Sequence, residues 1–271
     1  MRLRESKRTP LEGGLNVSSV VTDDAGKSYL KRYPKGGEET LKLLKHQYNA
    51  LGFTSRGGSF RRRSPQEQVN FLQRAASLGL KVLPPAYVDE KGYTYYRFFE
   101  GAQTLDDFLP HASSEEIGAI IYDLFADIRI AHANGIIYGD RWAQNILIVP
   151  RFSLPENESN EGGKIKEPTA RIRKAILHID FDIELSGPVT HEFELAEVTF
   201  YVLHAGGERI ALMLANFLGI DTNVRGFNFK AFVDFLEKFS ELFKNHPKYS
   251  GGEKEVTALI AALHTVRGND K

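Results

Sequence analysis

Apolar and polar positions alternate with two different periods in the first hundred residues. A β-hairpin is predicted for residues 16–33, because two stretches of extended, β-branched character flank a polar turn. Apolar residues at helical spacing predict a helix over residues 38–51. A second helix is predicted to start at Ser64, where a serine is followed by a proline and, two residues later, by a glutamate. Residues 93–99 have the composition of a further strand, so this part of the chain is expected to be strand-rich.

The pattern becomes helical after residue 104. A long helix is predicted to begin at Ser113, which precedes one continuous apolar face, and to end at Asn134. Two short apolar runs, residues 146–149 and 175–179, predict a pair of strands. The helices predicted after these strands cover residues 192–204, 208–218, 229–244 and 254–265. Four phenylalanines of the third helix recur at helical spacing, which favours a packed core face.

This order of elements predicts an α+β, two-lobed fold. A small, β-rich N-lobe is expected for residues 1–100 and a mainly helical C-lobe for residues 101–271, with a cleft between them. A polar, glycine-rich and basic stretch, residues 52–64, is predicted to be a mobile loop within the N-lobe. A chain of 271 residues is long enough for two such lobes.

Two aspartates and one asparagine stand next to the predicted strand pair. Asp140 ends an extended turn, Asn145 follows five residues later, and Asp180 stands at the end of the second strand. Phosphoryl transfer needs a carboxylate that orients the acceptor hydroxyl and metal ions that neutralise the phosphates. Mg²⁺ prefers oxygen ligands and takes only one or two from the protein. The spacing therefore favours Asp140 for the acceptor, with Asn145 and Asp180 as Mg²⁺ ligands.

The same segments carry a resemblance to a known superfamily. The run from His132 to Leu147, together with Ile-Asp-Phe at residues 179–181, resembles the catalytic loop and the metal-binding aspartate of the protein-kinase-like superfamily. The resemblance implies that Asp140 is the catalytic aspartate, that Asn145 is the second-metal ligand, and that Asp180 is the principal metal ligand. It also implies a protein-kinase-like fold that uses ATP and Mg²⁺.

The N-lobe carries the residues that the resemblance assigns to the nucleotide. Lys31, within Tyr-Leu-Lys-Arg-Tyr, resembles the strand lysine that holds the α- and β-phosphates. Glu67 would pair with this lysine, because the run from residue 63 to residue 85 resembles that of the atypical RIO kinases and of the small kinase of the KEOPS tRNA-modification complex. Glu38 and Glu39 are competitors for this role, and a purely helix-capping role for Glu67 stays open.

Further positions resemble the hinge or depart from the usual kinase pattern. Glu100-Gly101 resembles the hinge, where backbone groups would meet adenine. No Gly-x-Gly-x-x-Gly loop precedes the hairpin, and Gly13-Gly14 is the nearest substitute for covering the phosphates. Tyr138-Gly139 replaces the usual His-Arg, and Asp182 replaces the glycine of the metal motif. These departures disfavour a conventional protein substrate and favour a minimal atypical kinase.

Composition and charge add to the function that these motifs indicate. The absence of cysteine excludes disulfides, cysteine-ligated zinc and a thiol nucleophile, and no run of apolar residues is long enough to span a membrane. A cytoplasmic protein is expected. The formal net charge is +0, but residues 1–90 carry 16 Lys/Arg against 9 Asp/Glu, so the N-lobe is basic. The basic residues that could bind RNA phosphates, including those of a tRNA, are Arg2, Arg4, Lys7, Arg8, Arg61, Arg62 and Arg63.

Three functions are compatible with this sequence. The first is an atypical ATP- and Mg²⁺-dependent kinase that acts in RNA or ribosome biology, with a protein hydroxyl or an RNA 2′-hydroxyl as acceptor. The second is a small-molecule kinase similar to the aminoglycoside or choline phosphotransferases, whose cationic acceptor would suit the acidic residues 91–271. The third is a nucleotide-binding pseudokinase or assembly factor, which the presence of Lys31, Asp140, Asn145 and Asp180 disfavours. The sequence leaves the oligomeric state open.

Overall fold

The first hundred residues of the chain form the strand-rich part that the sequence predicts. The computed structural model describes residues 3–4, 16–23, 27–34, 38–83, 85, 87–150, 174–222, 226–246, 249 and 252–268.

The largest sheet is built around the predicted hairpin. Its strands are β1 (Leu3–Arg4), β2 (Asn16–Asp23), β3 (Ser28–Pro34), β5 (Tyr87–Val88) and β6 (Thr94–Arg97), in the antiparallel order β1-β2-β3-β6-β5. Strand β3 is central, since Leu30 lies opposite Val20 on β2 and opposite Tyr96 on β6. Successive side chains of a strand point to opposite faces, so Leu30, Arg32 and Tyr96 share one face of the sheet. That face lies toward Asp180, with which Arg32 forms an ion pair.

Two helices and a further strand separate β3 from β5. Helix α1 (Glu38–Ala50) and helix α2 (Pro65–Ser77) match the two helices predicted for this region. Ser64 accepts a hydrogen bond from the backbone N–H of Glu67, whose carboxylate accepts one from the N–H of Ser64, so α2 begins with a complete capping box.

Residues 52–64 depart from the mobile loop that their composition predicts. They contain a short 3₁₀ helix, Thr54–Arg56, and strand β4 (Ser59–Arg62). Strand β4 pairs in antiparallel register with strand β10 (Ile183–Ser186), which directly follows the predicted metal motif. The partner strand lies more than a hundred residues away in sequence, so local composition gave no sign of it. This pairing joins the chain before α2 to the metal-motif segment.

The part of the chain after residue 101 is mainly helical, as predicted. Strands β8 (Ile146–Pro150) and β9 (Lys174–His178) pair as expected, and the short strand β7 (Gln103–Thr104) extends their sheet. The helices of this part are α3 (Leu105–Phe108), α4 (Ser114–Ala133), α5 (Thr190–Gly206), α6 (Ala211–Thr222), α7 (Phe229–Phe243) and α8 (Glu253–Gly268).

Helix α5 forms the centre of this part. Nearly all of its residues are buried, and helix α7 packs along it. The phenylalanine series of α7 contributes Phe232, Phe235, Phe239 and Phe243, which are at most 4% exposed. The prediction of a packed core face is therefore confirmed, and so is the α+β class with a β-rich first part and a helical second part. Within the described ranges, no helix is both long and apolar enough to cross a membrane.

Candidate active site

The two aspartates of the predicted motifs lie at the ends of neighbouring chain segments and share an unusual backbone conformation. Asp140 has φ 39° and Asp180 has φ 62°, in the left-handed region that non-glycine residues rarely adopt. Gly139, directly before Asp140, has φ 72°, and a Cβ atom there would overlap the carbonyl oxygen of Ile183. Strained positions of this kind persist when surrounding contacts fix them, and they are typical of functional sites.

Arg141 is the contact that fixes both segments. Its side chain is fully buried, and its guanidinium donates hydrogen bonds to the carbonyl oxygens of Gly139, Ile179 and Asp180. One side chain therefore connects the backbone around Asp140 to the backbone around Asp180.

Helix α5 supplies two buried carboxylates to the segment that carries Asp140. Glu194 accepts a hydrogen bond from the backbone N–H of Gly139 at 2.6 Å, and Glu197 accepts one from the backbone N–H of Arg141 at 2.8 Å. Burial opposes ionisation of Glu194, but His132 at 2.7 Å, the backbone N–H of Gly139 and the charge of Arg141 together outweigh it and lower the pKa of Glu194. Burial and the charge of Asp140 raise the pKa of Glu197 well above its usual value. Glu194 and Glu197 interrupt a mostly apolar stretch of sequence. This pattern is a signal that they bind neighbouring backbone, and the sequence predictions above did not include it.

The carboxylate of Asp140 is held by Trp142. The indole Nε1–H donates to Oδ1 of Asp140 at 2.7 Å, and the Asn145 side-chain amide donates to the carbonyl oxygen of Asp140 at 2.9 Å. Burial, followed by the negative charge of Asp180, raises the pKa of Asp140 to about 7. Asp140, Asn145 and Asp180 are therefore brought together, as their spacing predicts.

Arg32 is a residue of this site that the sequence reasoning did not single out. Its guanidinium forms an ion pair with Oδ2 of Asp180, and only 13% of its side chain is exposed. Burial alone would lower the pKa of Arg32, but the Asp180 carboxylate raises it, so the guanidinium stays charged. Lys31, the residue proposed from the resemblance, lies on the same strand, and its side chain is outside the described part of the structure. Lys31 therefore stays a prediction beside the observed Arg32.

The structure shows Glu67 in the helix-capping role that the sequence left open, while its pairing with Lys31 stays a prediction because the Lys31 side chain is outside the described structure. The Glu67 carboxylate caps helix α2 through Ser64 and accepts a hydrogen bond from Arg61 at 2.8 Å. These hydrogen bonds lower the pKa of Glu67 to about 2. The capping role explains the position of this residue, because the box fixes the carboxylate over the first turn of its own helix.

Arg63, one of the basic residues predicted to bind RNA phosphates, is buried inside the molecule, which corrects its prediction as part of an RNA-binding patch. Arg63 is 5% exposed and donates to the carbonyl oxygens of Phe181 at 3.0 Å and Ile183 at 2.7 Å. Burial lowers the pKa of Arg63 to about 10, so it remains protonated at neutral pH. Arg61 pairs with Glu67 and Glu184, since the partner strand β10 places a carboxylate beside it. Of the three arginines, Arg61 is the most exposed, with 55% of its side chain accessible, whereas 20% of the Arg62 side chain is exposed and Arg63 is buried.

A buried polar group connects the two aspartate-bearing segments to helix α4. The Tyr138 hydroxyl donates to Oδ2 of Asp127 at 2.6 Å, and His178 Nε2 lies 3.3 Å from the same oxygen. The rings of Tyr138 and His178 are in contact, with centroids 4.5 Å apart. The second oxygen of Asp127 accepts the backbone N–H of Lys81 at 2.9 Å. Tyr138 precedes Asp140 by two residues, and His178 precedes Asp180 by two residues. Asp127 therefore anchors the two segments that lead to these aspartates.

The other residues proposed from the sequence are partly outside the described structure. Glu100 is exposed in the turn that follows strand β6, and Gly101 there has φ 75°. Arg4 lies in strand β1. Gly13 and Gly14, proposed to cover the phosphates, lie outside the described residues. The same holds for the basic residues Arg2, Lys7 and Arg8.

The oxygen donors at the site fit Mg²⁺ bound together with a nucleotide. Within the described ranges, no group of three or more His, Cys, Asp or Glu side chains could hold a metal ion by itself. Asp180 and Asn145 offer one carboxylate and one amide oxygen, which is the small protein share that Mg²⁺ takes when phosphates and water complete its octahedron.

Comparisons with known proteins give similarity only at the level of structure. No protein-family model matches the chain, and no curated protein matches it. The chain is similar to the crystal structure of the Rio2 kinase from Chaetomium thermophilum, with 15% identity, a TM-score of 0.47, and coverage of 95% of this chain and 71% of that one. It is also similar to the ADP/Mg²⁺-phosphoaspartate complex of that kinase, with 15% identity, a TM-score of 0.44, and coverage of 96% and 70%.

Proposed function

We propose that this protein is an ATP- and Mg²⁺-dependent phosphotransferase of the atypical kinase type, which transfers the γ-phosphate of ATP to a hydroxyl group. The observation that supports this proposal is the joint placement of Asp140 and Asp180. Both have left-handed backbone conformations, Arg141 binds the backbone of both segments, and a guanidinium lies on Asp180. A site of this composition suits phosphates and Mg²⁺ better than it suits any apolar ligand.

Asp180 and Asn145 are the proposed ligands of Mg²⁺. When bound, the metal would bridge and neutralise the phosphates of ATP. In the described structure Arg32 is paired with Oδ2 of Asp180, so a metal that takes this oxygen would displace the guanidinium. Arg32 is then free to donate to the phosphates, for which a guanidinium is well suited because of its planar fork of donors.

Asp140 is the proposed acceptor-orienting residue. Trp142 holds one carboxylate oxygen, which leaves the other for the acceptor hydroxyl. A carboxylate with a pKa near 7 is well matched to accept a proton at neutral pH. Metal binding at Asp180 would neutralise the charge that raises this pKa and would favour the ionised form of Asp140.

The identity of the acceptor is a separate proposal. The sequence suggests that the acceptor is a hydroxyl group of an RNA or of a protein. The sequence also suggests a cytoplasmic location. The engagement of Arg61 and Arg63 within the protein removes part of the basis for RNA. A cationic small-molecule acceptor is the alternative from the sequence.

Incubation with γ-labelled ATP and a fractionated cell extract tests the proposal. We expect label to enter one class of acceptor in the presence of Mg²⁺ and to be absent with EDTA. Asp140→Ala and Asp180→Ala should each abolish transfer. Glu237→Ala, at an exposed position of helix α7, is the matched acidic control and should transfer normally. Equal transfer by the wild type and the Asp180 variant would contradict the proposal.

A further inference from the structure

Arg32 on strand β3 holds a carboxylate of the proposed metal site. Its guanidinium forms an ion pair with Oδ2 of Asp180, and 13% of the Arg32 side chain and 19% of the Asp180 side chain are exposed. Burial opposes the charge on Arg32, but the carboxylates of Asp180 and Asp182 outweigh it and raise its pKa. Both acids that balance this guanidinium therefore lie in the segment that the proposed function assigns to the metal.

Arg32 has no other ion pair within the described ranges of the chain. Glu67, the acid that the resemblance offers to a basic residue of strand β3, is held by the Ser64 backbone and by Arg61. A guanidinium that left Asp180 would stay largely buried without an anion in contact, and an unpaired buried charge is costly. Displacement of Arg32 from Asp180 is therefore unfavourable unless another anion accepts the guanidinium.

We propose that Arg32 makes the binding of Mg²⁺ and of ATP at this site interdependent. Without nucleotide, the guanidinium competes with the metal for Asp180. The phosphates of ATP offer the guanidinium anionic oxygens in place of this carboxylate, which leaves Asp180 to the metal. The inference rests on the proposed function, since it describes how that site is regulated. It assigns to Arg32 the control of metal entry in addition to phosphate binding.

This interdependence predicts changes of opposite sign in two affinities of one variant. Arg32→Gln removes both a competitor of the metal and a donor to the phosphates. The variant should therefore bind metal alone more tightly than the wild type, and ATP less tightly. A residue that only stabilised the fold would weaken both affinities when replaced. By linkage, the factor by which ATP strengthens metal binding should be smaller in the variant than in the wild type.

The test uses Mn²⁺ as the metal probe, because electron paramagnetic resonance measures its free concentration. Mn²⁺ is titrated into the full chain alone and with a non-hydrolysable ATP analogue. We expect Arg32→Gln to bind Mn²⁺ alone at least about tenfold more tightly than the wild type, since a charge-assisted competitor is lost. Arg32→Lys should lie between them, and Asp180→Asn should abolish this binding. Arg56→Gln breaks a comparable ion pair, that of Arg56 with Asp234 at 2.7 Å, and should bind Mn²⁺ as the wild type does.

A second measurement does not depend on the stability of an Arg32 variant. In EDTA, Asp180→Asn releases the guanidinium, so this variant should bind metal-free ATP at least about fivefold more tightly than the wild type. Asp182→Asn is the matched control, because it removes a neighbouring negative charge without breaking the pair of Arg32 with Asp180. Its gain in ATP affinity should be smaller.

Two results would overturn the interdependence while the metal site itself stands. One is that Arg32→Gln binds Mn²⁺ alone no more tightly than the wild type, although Asp180→Asn still abolishes binding. The other is that Asp180→Asn binds metal-free ATP no more tightly than the wild type. If Asp180→Asn changed Mn²⁺ binding neither with nor without the nucleotide, the proposed function would fail together with this inference.

Discussion

The Tyr138 hydroxyl donates to Asp127 across 2.6 Å, and through this bond helix α4 holds the segment that ends in Asp140. The same carboxylate holds His178, two residues before Asp180. Burial opposes ionisation of Asp127, but its bonds with His178 and Tyr138 lower its pKa, whereas burial lowers the pKa of His178 despite the carboxylate. The position of both aspartates therefore depends on one buried acid of helix α4, which joins two segments that are distant from each other in sequence.

Asp127→Asn is expected to destabilise the protein and to reduce transfer. The amide keeps one acceptor oxygen but loses the charge that the Tyr138 hydroxyl and the Lys81 backbone N–H share, which should lower the free energy of unfolding by about 1.5–3 kcal/mol. Urea unfolding measures this loss. Tyr138→Phe, which removes only one of the bonds, is the control and should cost about 1 kcal/mol. Wild-type stability and turnover in Asp127→Asn would show that the anchor has no role.

Arg32→Ala is expected to weaken ATP binding about 10- to 100-fold, because charge-assisted hydrogen bonds to the phosphates would be lost. Arg32→Lys keeps the charge without the planar fork and should lose less. Lys31→Ala is the informative comparison, measured by the same Mg²⁺·ATP titration. A larger loss at Lys31 than at Arg32 would favour the lysine predicted from the resemblance over the arginine that contacts Asp180 in the structure.

This pair of residues shows where sequence reasoning was sufficient and where it was not. Strand β3 and its pairing followed from local alternation, as did the helix starts at Ser64 and Ser113. Local alternation does not decide which of two adjacent basic residues faces the cleft, because that depends on the register of the sheet against the rest of the molecule. Strand β4 was missed for a related reason, since its partner β10 is distant in sequence. The proximity of Asp140, Asn145 and Asp180 was predictable because each lies in a continuous segment next to one of the two paired strands β8 and β9.

The emission of Trp142 is expected to change with pH around a midpoint near 7 in the absence of metal. Trp142 is the only tryptophan of the chain, and its indole donates to Asp140, whose pKa is raised to about 7 from an ordinary value of 3.8. Because the folded pKa lies above the unfolded one, the folded protein binds more protons between these values. This carboxyl therefore makes the fold less stable as the pH rises through that interval toward 7.

Fluorescence and unfolding measurements check both parts of this expectation. Asp140→Asn should remove the emission step and flatten that part of the stability profile. Saturating Mg²⁺·ATP should shift the midpoint downward, because the metal neutralises Asp180. A step that persists unchanged in Asp140→Asn would assign the titration to another group.

Arg63→Met is expected to destabilise the fold by about 2–4 kcal/mol and to leave the salt dependence of any RNA binding unchanged. The methionine fills much of the space of the arginine stem, but the carbonyl oxygens of Phe181 and Ile183 lose their buried donor, which costs the desolvation of each group. Arg61→Met is the matched control: its ion pairs are at the surface, where 55% of the side chain is exposed, so a change of about 0–1 kcal/mol is expected. Urea unfolding of both variants measures the difference. If Arg63→Met instead retained wild-type stability while the slope of RNA affinity against salt fell by about 0.7, Arg63 would be a phosphate contact and the correction of the basic patch would itself be wrong.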